Sequence, residues 1–280
     1  MTRMIQIGSD YIEVENAYNQ QAGHITTSAK KNYFSELALG NIEGRFTVNK
    51  FGAAPSGAQI TATDIWDRAD ATPTQQVWLS PTAARVHALK SSGTADTGYN
   101  VQVYGLTSWS TTETSELVAM NGTANVNTSN SYVIIHRMKI IPTASKTTNA
   151  GTITATAATD NTVTAAINPG NGQTEMAIYG VPSGQSALLH TWYCHIDKTS
   201  AAAATVDFEV RVNPNPNVQT TGFLRKQDIS CQSTGSNSVI REFKVPPKFD
   251  GPCIIKISGI ASAADVDAES GFDLEIVKTS

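Results

Sequence analysis

The stretch Ser186–Lys198, SALLHTWYCHIDK, packs two histidines, a cysteine, a tryptophan and an aspartate into one short run. Whether these side chains make a reactive cluster or the two faces of a single strand decides how the whole chain is read. In a β-strand successive side chains point to opposite faces. That alternation puts His190, Trp192, Cys194 and Ile196 on one face and Thr191, Tyr193, His195 and Asp197 on the other. At roughly 3.3 Å per residue His190 and Cys194 stand about 13 Å apart, whereas a zinc ion holds its ligands within about 2.3 Å. Cys194 and His195 point in opposite directions, which spoils a local thiolate–imidazole pair. The stretch therefore reads as a strand with a buried Trp/Cys/Ile face and a polar outer face, cysteine packing as a small hydrophobe.

Outward from this strand the same beat continues. Before it come QQVWLS, ARVHALKSS, YNVQVYGL, TETSELVAM and SYVIIHRMKII, each of strand length and separated by Gly, Asn, Pro and Ser. YNVQVYGL alternates clearly, with Val101 and Val103 on one face and Asn100, Gln102 and Tyr104 on the other, the pattern of a half-buried antiparallel strand. AMNGTANV carries an Asn-Gly pair and is expected to turn a hairpin. A second series follows: AGTITATAA, NTVTAAINPGNG, TEMAIYGVPSG, the opening strand, TVDFEVRV, FLRKQDIS, SVIREFKVPP, CIIKISGIA and FDLEIVKTS. The three prolines of KVPPKFDGPC cannot donate to a ladder and mark a strand edge or loop. So many short strands with almost no helix predict an all-β fold of antiparallel β-sandwich or jelly-roll units. We expect an N-terminal arm or irregular subdomain over residues 1–58, a first sandwich over 59–145 and a second over 146–280, with the join in PTASKTTNAG, residues 142–151. Within the arm, SAKKNYFSELALG predicts a short helix stopped by Gly40, and scattered apolar residues such as Met4, Ile5, Ile7 and Leu37 await cover from this chain or a neighbour.

Composition narrows function. Charged residues are 16% of the 280, and 20 basic residues against 24 acidic leave a net charge of -4. The surface must then be largely Thr, Ser, Asn and Gln, which suits pleated sheets and proteins built into large particles. An acidic balance in which Lys30-Lys31 is the main basic pair argues against a nucleic-acid partner. No run approaches the roughly 18 apolar residues that span a bilayer, and we expect a soluble protein made in a cytoplasm, with no membrane partner. Cys194, Cys231 and Cys253 contain no CxxC pair and allow at most one intrachain bridge.

Four further groups invite chemistry. In ADVDAESGFDLE, the residues Asp265, Asp267, Glu269 and Asp273 approach the spacing of a calcium loop, but Ser270 stands where the turn glycine belongs and Ile276 where a bidentate glutamate belongs. We read it as a solvated acidic hairpin loop. Glu113 and Glu116 differ in parity and diverge, while Asp207 and Glu209 share a strand face with Arg211 and are expected to form surface charge pairs rather than a glycosidase dyad. Of the tryptophans, Trp78 and Trp192 read as internal; Trp66 and Trp109, in loop-like contexts, are the better candidates for an exposed anchor or a carbohydrate platform. No G-x-S-x-G or phosphate loop is present. We expect no enzyme, no catalytic residues, no cofactor and no metal.

The order of three segments resembles a family of tailed-bacteriophage virion structural proteins: ARVHALKSSGTADTGYNVQVYGLTSWSTTETSELVAMNGTANVNTSNSYVIIHRMKI, then TNAGTITATA, then NGQTEMAIYGVPSGQSALLHTWYCHI, covering roughly residues 84–196. The shared elements are a serine pair before an Ala-Asp-Thr turn, a Val-x-Val strand ending in Gly-Leu, an Asn-Gly-Thr turn, Asn-Ala-Gly before a Thr-rich strand, and a Val-Pro-Ser-Gly turn. The resemblance implies a non-enzymatic capsid decoration or cement protein, β-sandwich in fold and a homotrimer, bound to the major capsid protein on the outside of the virion. The alternative it leaves is a tail or head-fibre component that binds a host surface glycan.

Overall fold

The computed structural model describes residues 3–7, 10–14, 32–58, 61–68, 75–197, 203–217, 222–235, 237–263 and 266–279, with side chains described from Asn32 onward except at 55–58. In chain order the strands of the first half are β1 (Arg3–Ile7), β2 (Asp10–Val14), β3 (Arg45–Ala58), β4 (Thr63–Asp64), β5 (His87–Ser91), β6 (Thr97–Leu106), β7 (Thr114–Asn121), β8 (Val126–Asn127) and β9 (Ile134–Ile141). Those of the second half are β10 (Ile153–Ala157), β11 (Val163–Ile167), β12 (Ile178–Val181), β13 (Gln185–Asp197), β14 (Thr205–Asn213), β15 (Leu224–Gln232), β16 (Ser238–Glu242), β17 (Lys248–Asp250), β18 (Cys253–Ala261) and β19 (Val266–Lys278). Among the described residues one short helix, α1 (Tyr33–Ala38), lies between β2 and β3. The fold is all-β and antiparallel, as expected.

Two sandwiches result. In the first, the sheet β11-β10-β5-β8 packs on the sheet β7-β6-β9, with β5 against β7 and β11 against β9. In the second, β16-β13-β19-β3, with β17 also on β13, packs on β12-β18-β14-β15, with β4 also on β18. β12 touches β9 as well as β3 and β13, joining the two halves. Alternation does the work: Val101 and Val103 of β6, Ile153 and Ala155 of β10, and Val206, Phe208 and Val210 of β14 all point inward and are fully buried.

The strand pairing divides the chain differently from the sequence expectation. β10 and β11 lie beyond the expected join yet pair with β5, Ile153 opposite Ser91 and Ala157 opposite His87, so the first sandwich runs on to Ile167. Residues 45–58 are not arm but strand, running along β19 from Val48 opposite Leu274 to Gly52 opposite Ser270. Gly52 has a steric cause: a Cβ there would come within 2.5 Å of the Ile65 carbonyl oxygen and 2.6 Å of the Ala177 nitrogen. Pro55 is tolerated because β3 is an edge strand. Of the expected arm, β1 and β2 form a separate two-stranded sheet, and residues 15–31 lie outside the described residues.

Other expectations hold or shift locally. α1 forms where expected, capped by Asn32, whose Oδ1 accepts the Phe34 amide at 2.9 Å and the Ser35 amide at 3.2 Å. Gly40 stops it with φ of +75°, donating to the Leu37 carbonyl. QQVWLS is not a strand: the Trp78 amide is taken by the Asp64 carboxylate at 2.8 Å rather than by a ladder. The Asn121-Gly122 turn makes no hairpin, because β8 pairs with β5 while β7 pairs with β6, and the turn carries the chain from one sheet to the other.

Candidate functional site

The groove beneath α1 gathers titratable side chains from β13, β16 and β19 around a cavity of about 540 Å³. The floor is the outer face of β3, β13 and β19; α1 closes one side with Phe34 and Leu37, and Glu242 and Phe243 at the end of β16 close the other. Its anchor is Glu275, whose side chain is 3% exposed. One carboxylate oxygen accepts the Tyr33 hydroxyl at 2.6 Å and the Arg45 guanidinium; the other faces His190 Nε2 at 3.0 Å. Burial would push the Glu275 carboxyl up, but the hydrogen bonds from Tyr33, Arg45 and His190 outweigh it and hold the group below its ordinary value. A carboxylate so fully engaged fastens the helix to the sheet. Beside it Asp273 accepts Asn49 Nδ2 at 2.6 Å.

His190 reaches this groove through a feature the sequence reading missed. The β13–β19 register shifts between Leu189 and Thr191, a β-bulge that reverses the alternation. Ala187 and Leu189 point inward before it, Trp192, Cys194 and Ile196 after it. His190 thus lies on the outer face, edge-on to Phe34 with ring centroids 5.3 Å apart, and not on the face of Trp192. On the inner face the Trp192 indole donates to Ser270 Oγ at 3.0 Å, and Cys194 Sγ lies 3.3 Å from the same hydroxyl. Cys194, Cys231 and Cys253 are buried free thiols; burial raises all three, Cys253 to about 12.

The remaining candidates disperse. The acidic segment is not a loop: Asp267, Glu269 and Asp273 lie within β19, and Asp265 is outside the described residues. Among the described residues no three of His, Cys, Asp and Glu are placed to hold a metal ion. Glu113 meets His136 Nε2 at 2.5 Å, whereas Glu116 caps a loop by accepting the Ser129 and Asn130 amides and the Tyr132 hydroxyl. Asp207 accepts Ser230 Oγ, and Glu209 pairs with Arg211 and Arg225, the surface arrangement expected. Trp66 is not an exposed anchor but fully buried, its indole donating to the Gln75 carbonyl at 3.1 Å, because the 63–66 segment is drawn in by β4 pairing with β18. Trp109 is half-buried; Trp78 and Trp192 are internal as expected.

Two buried polar sites were not anticipated. Lys256 Nζ lies 2.5 Å from Asp64 Oδ2 in the second core and 4.2 Å from the Phe223 ring centroid, and Ser258 donates to the other carboxylate oxygen. Where the sandwiches meet, Lys50 donates to the His136 carbonyl, and the His136 ring stacks at 4.7 Å on Tyr179. Burial, with Arg137 nearby, lowers Lys50 to about 7, partly offset by Glu113. A lysine set in an otherwise apolar run, as in CIIKISG, is the signal that could have flagged Lys256.

Three of the motifs that carry the family resemblance, the serine pair with its Ala-Asp-Thr turn, the Asn-Gly-Thr turn and the Asn-Ala-Gly segment, converge in a hydrogen-bonded knot at one end of the first sandwich. Asp96 of the Ala-Asp-Thr turn accepts the Ala150 amide at 2.7 Å and the Gly151 amide at 2.8 Å, as well as Ser91 Oγ. Ser92 Oγ accepts the Thr152 amide at 2.9 Å, and Asn149 Nδ2 donates to the carbonyls of Gly151 and Asn168. Gly122 of the Asn-Gly-Thr turn donates to the Asp96 carbonyl and accepts from the Ser91 amide. These residues lock loops.

No protein-family model matches the chain, and no curated protein matches it. Among solved structures, that of infectious bursal disease virus, Gt strain, aligns over 84% of this chain and 72% of its own at 10% identity with a TM-score of 0.18. The Gx strain aligns over 83% and 70% at 10% identity with a TM-score of 0.17. A mutant VP2 protein of the same virus in derived T=1 particles aligns over 85% and 78% at 8% identity with a TM-score of 0.13. Superpositions this loose carry no argument about this chain's fold or role.

Proposed function

We propose that this chain is a structural protein of a bacteriophage virion, specifically a decoration or cement protein that binds the outside of the major capsid protein shell as a homotrimer, without enzymatic activity. The observation that carries the reading is where apolar surface is left open. Phe34 and Leu39, 54% and 71% exposed, stand on and just past α1, and Ile240 and Val245, 68% and 85% exposed, stand on and just past β16. These two elements flank the groove. Four of the eight large apolar side chains most exposed among the described residues thus stand on or next to the elements that flank the groove, and this supports an attachment surface there. β16 is also an edge strand, bonded only to β13 among the described residues. The weakly charged surface and the motif order of residues 84–196 support the same reading.

Counting the chain by quantitative mass spectrometry in purified particles tests it. A copy number near that of the shell protein is expected. A dozen copies or fewer would refute decoration and favour the tail or fibre component.

A further inference from the structure

On the first sandwich, away from the face just described, the outer surface of β10 and β5 carries a second cavity of about 580 Å³, within the size range of small-ligand sites. Alternation sends Ile153, Ala155 and Ala157 into the core and leaves Thr152, Thr154 and Thr156 in a row on the outside. Lys90 of β5 stands directly opposite Thr154, and Val163 of β11 opposite Thr156. Arg68 also lines the cavity.

Three properties of this surface point to one class of ligand. Among the described residues its lining holds two cations and no carboxylate, in a chain whose net charge is -4. Neither cation has a carboxylate partner among the described residues, and Arg68 Nε is shielded from solvent with no hydrogen-bond acceptor there. The hydroxyls of Thr152, Thr154 and Thr156 likewise have no hydrogen-bond partner among the described residues, and Val163 adds an apolar side chain to the same lining. Cations fit an anion, hydroxyls at regular spacing fit a polyhydroxylated chain, and an apolar side chain fits the C–H face of a sugar ring.

We propose that this threonine groove binds an acidic saccharide, its carboxylate or sulfate held by Arg68 and Lys90 and its hydroxyls by the threonine row. The site is separate from the groove beneath α1 and does not depend on where in a particle the chain sits.

Calorimetry and saturation-transfer NMR on the full chain, with 3′-sialyllactose and a sulfated disaccharide as probes and neutral lactose and inorganic sulfate as controls, test the inference. Saturable binding of at least one acidic sugar is expected, weakened by salt. Arg68→Gln and Lys90→Gln should each weaken it about tenfold, the loss of one charge-assisted hydrogen bond, with melting temperatures unchanged. Thr154→Val, which keeps the shape and removes a hydroxyl, should weaken it less. No saturable binding, equal binding of lactose, equal binding of sulfate alone, or variants that bind as the parent does would each overturn the proposal.

Discussion

Replacing Lys50 by methionine should change the slope, and not only the height, of the stability-versus-pH curve. Lys50 is 6% exposed at the junction of the sandwiches, and burial lowers it from 10.5 to about 7. Between those values the unfolded chain holds a proton on this amine that the folded chain has released, so stability rises with pH through the window and is flat on either side. The full difference of one proton corresponds to about 1.4 kcal/mol per pH unit, or roughly 2 kcal/mol between pH 7.5 and 9. Methionine has a similar volume and no charge, so the variant should lack this rise and gain on the parent as pH falls towards 7. The raised thiols work in the opposite sense near and above 9 but are common to both proteins and cancel in the difference. His136, lowered by burial, completes its own change below 6.5. Urea denaturation followed by tryptophan fluorescence at pH 7, 7.5, 8, 8.5 and 9, at constant ionic strength, gives the two curves. Parallel curves would show that the amine stays charged in the folded state and that the reasoning about its burial is wrong.

Other outcomes follow from the same contacts. Gly52→Ala forces a Cβ against two backbone groups and should cost about 3 kcal/mol, read as a fall in melting temperature. Glu275→Gln should flatten the acid limb: the wild-type carboxyl is held below 4.5, so its stabilisation is complete above that value and is lost as pH falls through the folded one, a loss the variant does not show. Asp96→Ala leaves the Ala150 and Gly151 amides without their acceptor and should cost roughly 2–4 kcal/mol in denaturant titration. Ile240→Lys with Val245→Lys should leave stability within about 0.5 kcal/mol of the parent, while sharply reducing co-sedimentation with shells if this face is the attachment surface.

How much of this could be seen beforehand depended on whether a local rule governed the residue. β6 and β14 were legible because one buried face makes alternation strict, and α1 because Asn32 and Gly40 are local cap chemistry. β3 was hidden because Gly52, Ala53 and Ala54 look like loop composition, whereas the absence of a side chain at Gly52 answers backbone groups brought in from Ile65 and Ala177. A one-residue bulge moved His190 to the other face of its strand, and no composition signal marks such a slip. The knot at Asp96 joins residues more than fifty positions apart, so its motifs could be recognised one by one but not as one structure. The groove beneath α1 was out of reach for the same reason: Tyr33, Arg45, His190 and Glu275 meet only in three dimensions.

The three sulfurs have a practical consequence. Because the folded molecule holds them as separate, sequestered sulfhydryls, its integrity owes nothing to oxidation, and the same architecture can exist in a reducing cell and in open air. Maleimide or iodoacetamide can reach them only when a sheet parts, so the rate of alkylation is an intrinsic gauge of how often the second sandwich breathes.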